Sequence, residues 1–450
     1  MTARWQVGLL PAYLGACLLL GGSTTGVWTN LALQLGAVLM LAIAFSSPGP
    51  DRTPRRARHL LALLAGCFAL IVLQLLPLPP ALWSQLPGRG FVADGLASLG
   101  EPLPWLPWSL SPAETLVSAG FLLPPAAIVV WIVRGRAVPL RAIATVLLAV
   151  GLAGALLGFR QISTGDLQLY FYSFASWGKA PGFFANSAHM AMMMLASIPF
   201  LAALTIDSLE RADRSKNVAA LATAAVLLAV MLALIALNTS AAVLLLTAPV
   251  LFLTIALWGG RGVAWMRRRA VPLGIAALAG AVLLTWLSGR SQAANDTSLA
   301  TRSVIWHHSR EAIDQFGLAG SGIGSFPEIY RRFEPAATID LTYINHAHND
   351  YLELALETGL PGILLVALFL LWWGRAAWSV WRGPHENVYA RAATIASGAI
   401  LCHELVEYPL RSPAIAALFA LCIGLMAMVS VFPAKRREGE LWPSRHWAID

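Results

Sequence analysis

Two histidines stand two residues apart in the segment Asn345-His346-Ala347-His348-Asn349-Asp350-Tyr351-Leu352-Glu353. A histidine with an ordinary pKa near about 6.5 can take up a proton at neutral pH. Arg302, Trp306, His307, Arg310, Arg331 and Arg332 fall in the same polar interval, which runs from Ser288 to Gly362. Four chemistries suit this set. The two histidines with Glu353 are possible metal ligands, although no further closely spaced ligand set follows. They also fit polar loop residues with no reactive role, or the proton relay of a transporter. In the fourth reading, one histidine is a general base. A general base suits transfer of a glycan from a lipid diphosphate. The acceptor hydroxyl must lose its proton as it attacks the anomeric carbon, and the diphosphate leaves with growing negative charge. Fixed arginines can grip its oxygens in a fork and stabilise that charge without a metal ion.

The remainder of the chain has the composition of a membrane scaffold. Of 450 residues, 58% are hydrophobic and only 12% charged, against about 25% charged in soluble domains. Apolar runs of bilayer-crossing length recur, without the alternation of a membrane barrel. The fold class expected is all-α, a polytopic helical membrane protein with about twelve spans. They are Val7–Gly22, Val27–Phe45, Leu60–Leu76, Ala113–Val133, Val138–Gly158, Phe183–Thr205, Val218–Leu237, Ala241–Trp258, Val271–Leu287, Leu360–Trp378, Ala392–Val406 and Pro413–Val431. Residues 1–432 form one transmembrane domain with the 288–358 loop inserted, and 433–450 form a charged tail. The first helix reads as retained; the Leu14-Gly15-Ala16-Cys17 box does not end its apolar run as a lipoprotein cleavage site would. Cys17, Cys67, Cys402 and Cys422 all lie in apolar runs and imply neither a disulfide framework nor a zinc site.

Charge gives the orientation. With the N-terminus inside, the inner loops, span ends and tail hold 22 of the 31 lysines and arginines. Both termini are then cytoplasmic, and the histidine-bearing loop lies on the outer face. The net charge of +8 is therefore topological, and no nucleic-acid partner is expected. Nucleotide sugars are not expected on the outer face either, so a donor there must be carried across, most simply on a lipid.

Local elements position the polar residues. Thr297 can cap a helix over Ser298–Phe316 that carries Arg302. Gly317, Gly320, Gly322 and Gly324 then break it; their spacing is not a dinucleotide fingerprint. Short helices are expected over Phe326–Phe333 and Tyr351–Glu357. Pro77–Pro112 is rich in Pro and Trp and reads as an interfacial segment. Gly158–Gly182, with Arg160, Gln161, Tyr170, Tyr172, Trp177 and Lys179, fits a sugar-binding groove or a second interfacial belt.

At this point the sequence resembles a family. His348-Asn349, nine residues and then Gly359-Leu360-Pro361-Gly362 is similar to the signature of the O-antigen ligase superfamily. Thr301-Arg302-Ser303-Val304-Ile305-Trp306 and Gly320-Ser321-Gly322-Ile323-Gly324-Ser325-Phe326 resemble the arginine helix and glycine turn before that signature. Gly182-Phe183-Phe184-Ala185-Asn186-Ser187-Ala188-His189 resembles a segment opening a middle span, and Gln161 stands where relatives often carry glutamine. The resemblance implies a metal-independent, inverting glycosyltransferase of the GT-C type, without a cofactor, in the bacterial inner membrane. Its partners would be an undecaprenyl diphosphate-linked glycan donor, a glycan or lipid A-core acceptor, and membrane lipids. It implies His348 as the base and Arg302 as a diphosphate ligand. Arg160, Gln161, Asn186, His189, Arg331, Arg332, His346 and Asn349 would contact substrate.

Relatives often carry a second diphosphate arginine in a Ser-Arg-Gly segment, where this chain has Asn238-Thr239-Ser240, and another where it has Ser187. Arg160, then Arg331 or Arg332, are the expected substitutes. The other readings are a polysaccharide polymerase, a transporter of lipid-linked sugars, and a catalytically silent scaffold.

Overall fold

A computed structural model describes residues 6–46, 48–50, 52–211, 214–238, 240–259, 297–335, 344–383 and 387–429. The expected ninth span Val271–Leu287, Arg290 and the charged tail lie outside the described residues. The described chain is helical, save for a two-residue antiparallel pairing of β1 (Pro77–Leu78) with β2 (Leu106–Pro107). The first six helices are α1 (Gln6–Leu20), α2 (Val27–Phe45), α3 (Arg55–Leu75), α4 (Pro80–Trp83), α5 (Gly90–Ser98) and α6 (Pro112–Val133). The middle of the chain gives α7 (Leu140–Thr164), α8 (Ser187–Arg211), α9 (Arg214–Leu237) and α10 (Ala241–Ile255). After the undescribed stretch come α11 (Thr297–Phe316), α12 (Phe326–Tyr330), α13 (Asp350–Arg382), α14 (Val388–His403) and α15 (Pro413–Met428).

Among the described residues, eight helices are long and apolar enough to cross a bilayer: α2, α3, α6, α7, α8, α9, α10 with its extension to Trp258, and α13. α1 and α15 are apolar but shorter. Helices thus stand at each expected span that the structure describes. The chain is a polytopic helical membrane protein.

α8 is the central helix, buried along most of its length and packed on α7, α9, α10 and α14. Its sequence explains this. Ala188, Ala191, Ala196 and Ser197 allow close helix approach, and Met190, Met192, Met193 and Met194 fill the irregular gaps that remain. A Cβ on Gly151 or Gly154 of α7 would stand 2.9 or 2.6 Å from the Met194 or Met190 methyl, so those methionine ends occupy the space the glycines leave.

The bundle has two chemically distinct ends. At one, Arg134 and Arg136 after α6 donate to the Ala44 carbonyl of α2, and Arg141 of α7 pairs with Asp207 of α8 at 3.3 Å. Tyr389 of α14 reaches the same Asp207. At the other end, Ala414 N–H of α15 donates to the Gly21 carbonyl and Ala185 N–H to that of Gly22, joining α15 and the start of α8 to the end of α1. Gln74 at the end of α3 donates to the Glu357 carbonyl and accepts from Ile323 N–H. The described stretches 297–335 and 344–358 are folded onto this second end.

The glycine turn docks there because backbone meets backbone. Ser321 and Gly322 N–H donate to the Leu356 and Glu357 carbonyls, and Leu360 N–H donates to that of Leu318. Gly359 breaks α13 with φ 58° and ψ −149°, and a Cβ there would run into the Leu318 carbonyl. A Cβ on Gly320 would lie 2.6 Å from Gly359 nitrogen. Only glycine fits this mutual approach at positive φ.

The Pro- and Trp-rich segment also packs on this turn, beyond the interfacial role expected of it. Trp108 Nε1 donates to the Ala319 carbonyl, and Arg89, only 1% exposed, donates to the carbonyls of Trp108 and Gly320. Burial lowers the Arg89 pKa to about 10.

Candidate active site

Asn349 has an extended backbone, and its side-chain oxygen accepts from Leu352 N–H, which makes it the N-cap of α13. Just before it, His348 has φ 50°, the one non-glycine residue in the left-handed region among those described. That region is sparsely populated by residues with a Cβ and is kept only where the surroundings impose it. The surroundings here are specific. Trp306 of α11 donates to the Ala347 carbonyl at 2.9 Å, and Ala347 N–H donates to Glu353 at 2.8 Å.

The turn aims His348 at Glu407. This carboxylate follows α14 and is nearly buried. His348 Nδ1 lies 3.3 Å from Glu407 Oε2, and Arg302 Nη2 pairs with Glu407 Oε1. The histidine and arginine singled out by sequence therefore share one carboxylate. Burial alone would raise the Glu407 pKa. The hydrogen bond to His348, then the charges of His348 and Arg302, outweigh burial and hold it at about 2. Glu407 is thus an anion at neutral pH. A neutral His348 that donates Nδ1–H to it presents Nε2 as the proton-accepting nitrogen. The His348 and Arg302 side chains are 27% and 23% exposed, open enough for a ligand to reach.

His346 belongs to the same cluster in a different state. Its Nδ1 lies 2.9 Å from Glu353 Oε1. Burial first, then the nearby Arg411 charge, lowers its pKa to about 3, so it is neutral, and it shares a hydrogen bond with Glu353. Tyr408 fills the centre. Its ring centroid is 4.1 Å from that of His346 and 5.1 Å from those of His348 and His189. Burial raises its hydroxyl pKa, and Asn186 and Asn345 hydrogen-bond that hydroxyl.

Arg411 is the structural cation beneath. It contacts Asp350 at 2.5 Å, Glu353 at 3.1 Å and Glu357 at 3.1 Å. Burial opposes its charge, and the three carboxylates outweigh burial and raise its pKa. Glu357 also accepts from Gly324 and Phe326 N–H, so the clamp ties the glycine turn to α13.

The remaining expected contact residues are placed as follows. Asn186 and His189, at the start of α8, join the cluster through Tyr408. Gln161 is fully buried and spends its amide on backbone, donating to the Leu169 and Gly182 carbonyls and accepting from Gly182 N–H. Asn238 similarly exchanges two hydrogen bonds with Ala180. These two residues shape the loop before α8. Arg160 is exposed near the end of α7, and Arg331 is exposed beyond α12. Arg332 lies 3.5 Å over the Phe91 ring, in the packing of the α5 helix. His346 and His348 face different carboxylates and so do not form one ligand set. The described group with metal-ligand spacing is His307, His308 and Glu311 on α11, whose ligand atoms lie within 4.8 Å of one another.

The fold and site define a class: an integral membrane protein with a histidine, arginine and carboxylate cluster at one end of its helix bundle. Residues 223–367 match the family model described as O-antigen ligase. Over those residues the chain is similar to the O-antigen ligase superfamily, whose members are glycosyltransferase-like ligases and polymerases working on lipid-linked glycans and their acceptors. The match includes Arg302, His346, His348 and Asn349 and stops short of Glu407, Tyr408 and Arg411. No curated protein matches the chain.

Proposed function

We propose that the protein transfers a glycan from undecaprenyl diphosphate to a sugar hydroxyl, in the manner of an O-antigen ligase, with lipid A-core as the acceptor. The observation that carries this is the shared carboxylate: His348 and Arg302 meet on opposite oxygens of Glu407. The acceptor O–H gives its proton to His348 Nε2 as its oxygen bonds to the anomeric carbon. The bond from that carbon to the diphosphate oxygen breaks, and the electron pair leaves with the diphosphate. Attack opposite the leaving group inverts the anomeric centre. Glu407 fixes the imidazole and stabilises the imidazolium that forms, as a buried acid does beside a catalytic histidine. Arg302 offers its remaining N–H donors to the diphosphate. Arg160, Arg331 and Arg332 are the further cations proposed for the donor, with His346 and Asn349 holding the turn.

The site faces the periplasm in this reading, in a GT-C-like scaffold of about twelve spans with both termini cytoplasmic in the bacterial inner membrane. The test is His348→Ala. It should lower transfer by about 10²–10⁴-fold while leaving expression and melting temperature in detergent intact; near-normal transfer removes His348 from the chemistry. Arginine supplies the stabilising charge, so transfer should continue in chelator. A loss reversed by added divalent cation would reassign that charge to a metal. Loss of capped lipid A-core in a deletion strain supports the ligase assignment, whereas loss of long chains alone assigns polymerisation.

A further inference from the structure

Away from the histidine cluster, two further histidines and a carboxylate converge on α11. Glu311 follows His307 by four residues and His308 by three, so both rings are its neighbours on the helix surface. Glu311 Oε1 lies 3.5 Å from His307 Nε2, and Glu311 Oε2 lies 2.8 Å from His308 Nδ1. The ligand atoms of all three residues stand within 4.8 Å of one another. An ion that holds nitrogen and oxygen at about 2.0–2.2 Å in a tetrahedron sets its ligands roughly 3.3–3.6 Å apart. The His307 and Glu311 side chains are 69% and 49% exposed and have room to turn by the small amount this needs. The backbone beneath them is fixed, because Ile305, Ser309 and Ala312 of the same helix are buried.

The donor set selects the ion. Imidazole nitrogen suits Zn²⁺, Cu²⁺ and Ni²⁺, whereas Mg²⁺ and Ca²⁺ take oxygen ligands. Three protein ligands leave a fourth position for water. The helix also separates this group from the chemistry. At about 100° per residue, Glu311 comes half a turn round from Arg302. Arg302 and Trp306 face Glu407 and the Ala347 carbonyl, and the ligands project from the side of α11 away from them.

We propose that His307, His308 and Glu311 bind one divalent transition-metal ion of the zinc class. The ion replaces the proton now held between His308 and Glu311. It ties three side chains across one turn and so braces α11, the helix that presents Arg302 and Trp306 to the turn before α13. The site lies on α11 alone and stands whether or not the transferase reading holds.

The test uses the full chain in nanodiscs, purified without a histidine tag and stripped with chelator. Zn²⁺ uptake is read by competition with a chromophoric chelator. The parent should take up one equivalent more than His307→Ala or Glu311→Ala, and excess Mg²⁺ or Ca²⁺ should not displace it. Zn²⁺ should raise the melting temperature of the parent, as any ligand of the folded state does, and should leave that of the two variants unchanged. Without metal the three should melt alike, since both substituted side chains are exposed. Equal Zn²⁺ uptake by parent and variants, displacement by Mg²⁺, or a parent melting temperature that Zn²⁺ does not raise would each overturn the proposal. Transfer assays separate the brace from the reaction. His307→Ala should lose the ion and transfer as the parent does; loss of both would make the ion part of the chemistry and overturn its placement as a brace.

Discussion

Because Glu407 has one oxygen on Arg302 and the other near His348, neutralising it loosens both partners at once. Glu407→Gln preserves size and a carbonyl oxygen but removes the charge that steadies an imidazolium. It should lower kcat by about 10²-fold or more, the range of a general-base contribution, with little change in acceptor KM. An unchanged kcat would show that the carboxylate only packs. His348 and Arg302 were legible in the sequence because they sit in a polar interval with a recognisable spacing. Glu407 was not: it lies 59 residues from His348 and 105 from Arg302. A signal was present in Glu407-Tyr408-Pro409-Leu410-Arg411, a charged connector between two apolar spans, where ionisable residues are costly and usually functional. Gln161 is the opposite case. Its position suggested substrate contact, but only coordinates show its amide consumed by backbone.

The elements around the site are joined by charge in a way that helix patterns do not show. α13 presents Asp350, Glu353 and Glu357 at helical spacing on one face, and Arg411 just before α15 binds all three. Arg411→Ala leaves three carboxylates without their cation and should cost about 3–5 kcal/mol, the range for a broken buried pair. Melting in detergent should show that loss, and Arg411→Lys should recover part of it; a melting temperature equal to wild type would mean the clamp bears no load. Among the groups through which acid acts on the same region, two have depressed pKa values. His346 takes a proton near 6.5 when unfolded but only near 3 when folded, so the unfolded chain binds the extra proton and stability falls as pH drops below about 6.5. Glu407, depressed from 4.5 to about 2, contributes fully above 4.5 and loses its contribution as pH falls toward 2. The buried Glu353 and Glu357 act in the opposite sense in variant and parent alike, so the readout is the difference between variant and parent: from pH 7.5 to 4, the melting temperature of His346→Asn should fall less, or rise more, than that of the parent. The spans themselves were readable because a bilayer fixes their length and polarity. The docking of the Pro- and Trp-rich segment on the glycine turn was hidden, because it rests on backbone carbonyls that accept from Arg89 and Trp108.

At the scale of the molecule, the two ends of the bundle differ in charge, and membranes sort such ends. The end with Arg134, Arg136 and Arg141 also receives the α2–α3 and α8–α9 connections, with Arg52 and Arg211. At the histidine end Arg302 pairs with Glu407 and Arg411 with three carboxylates, while Arg89 is held by backbone carbonyls and Arg332 by the Phe91 ring. The folded helices therefore sort into the two groups that the lysine and arginine bias separates, although each was assigned from sequence without knowledge of its neighbours. By the positive-inside rule we propose that the arginine-rich end is cytoplasmic, and the chemistry proposed for His348 requires that outcome, because a lipid-linked donor presents its glycan on the opposite side. The arrangement can be checked in intact cells. In a background with Cys17, Cys67, Cys402 and Cys422 replaced, Ala97→Cys on exposed α5 should react with an impermeant maleimide once the outer membrane is permeabilised. Arg52→Cys, exposed before α3, should react only after the inner membrane is opened. The reverse pattern would put Glu407 and His348 in the cytosol and leave the proposed donor on the wrong side of the bilayer.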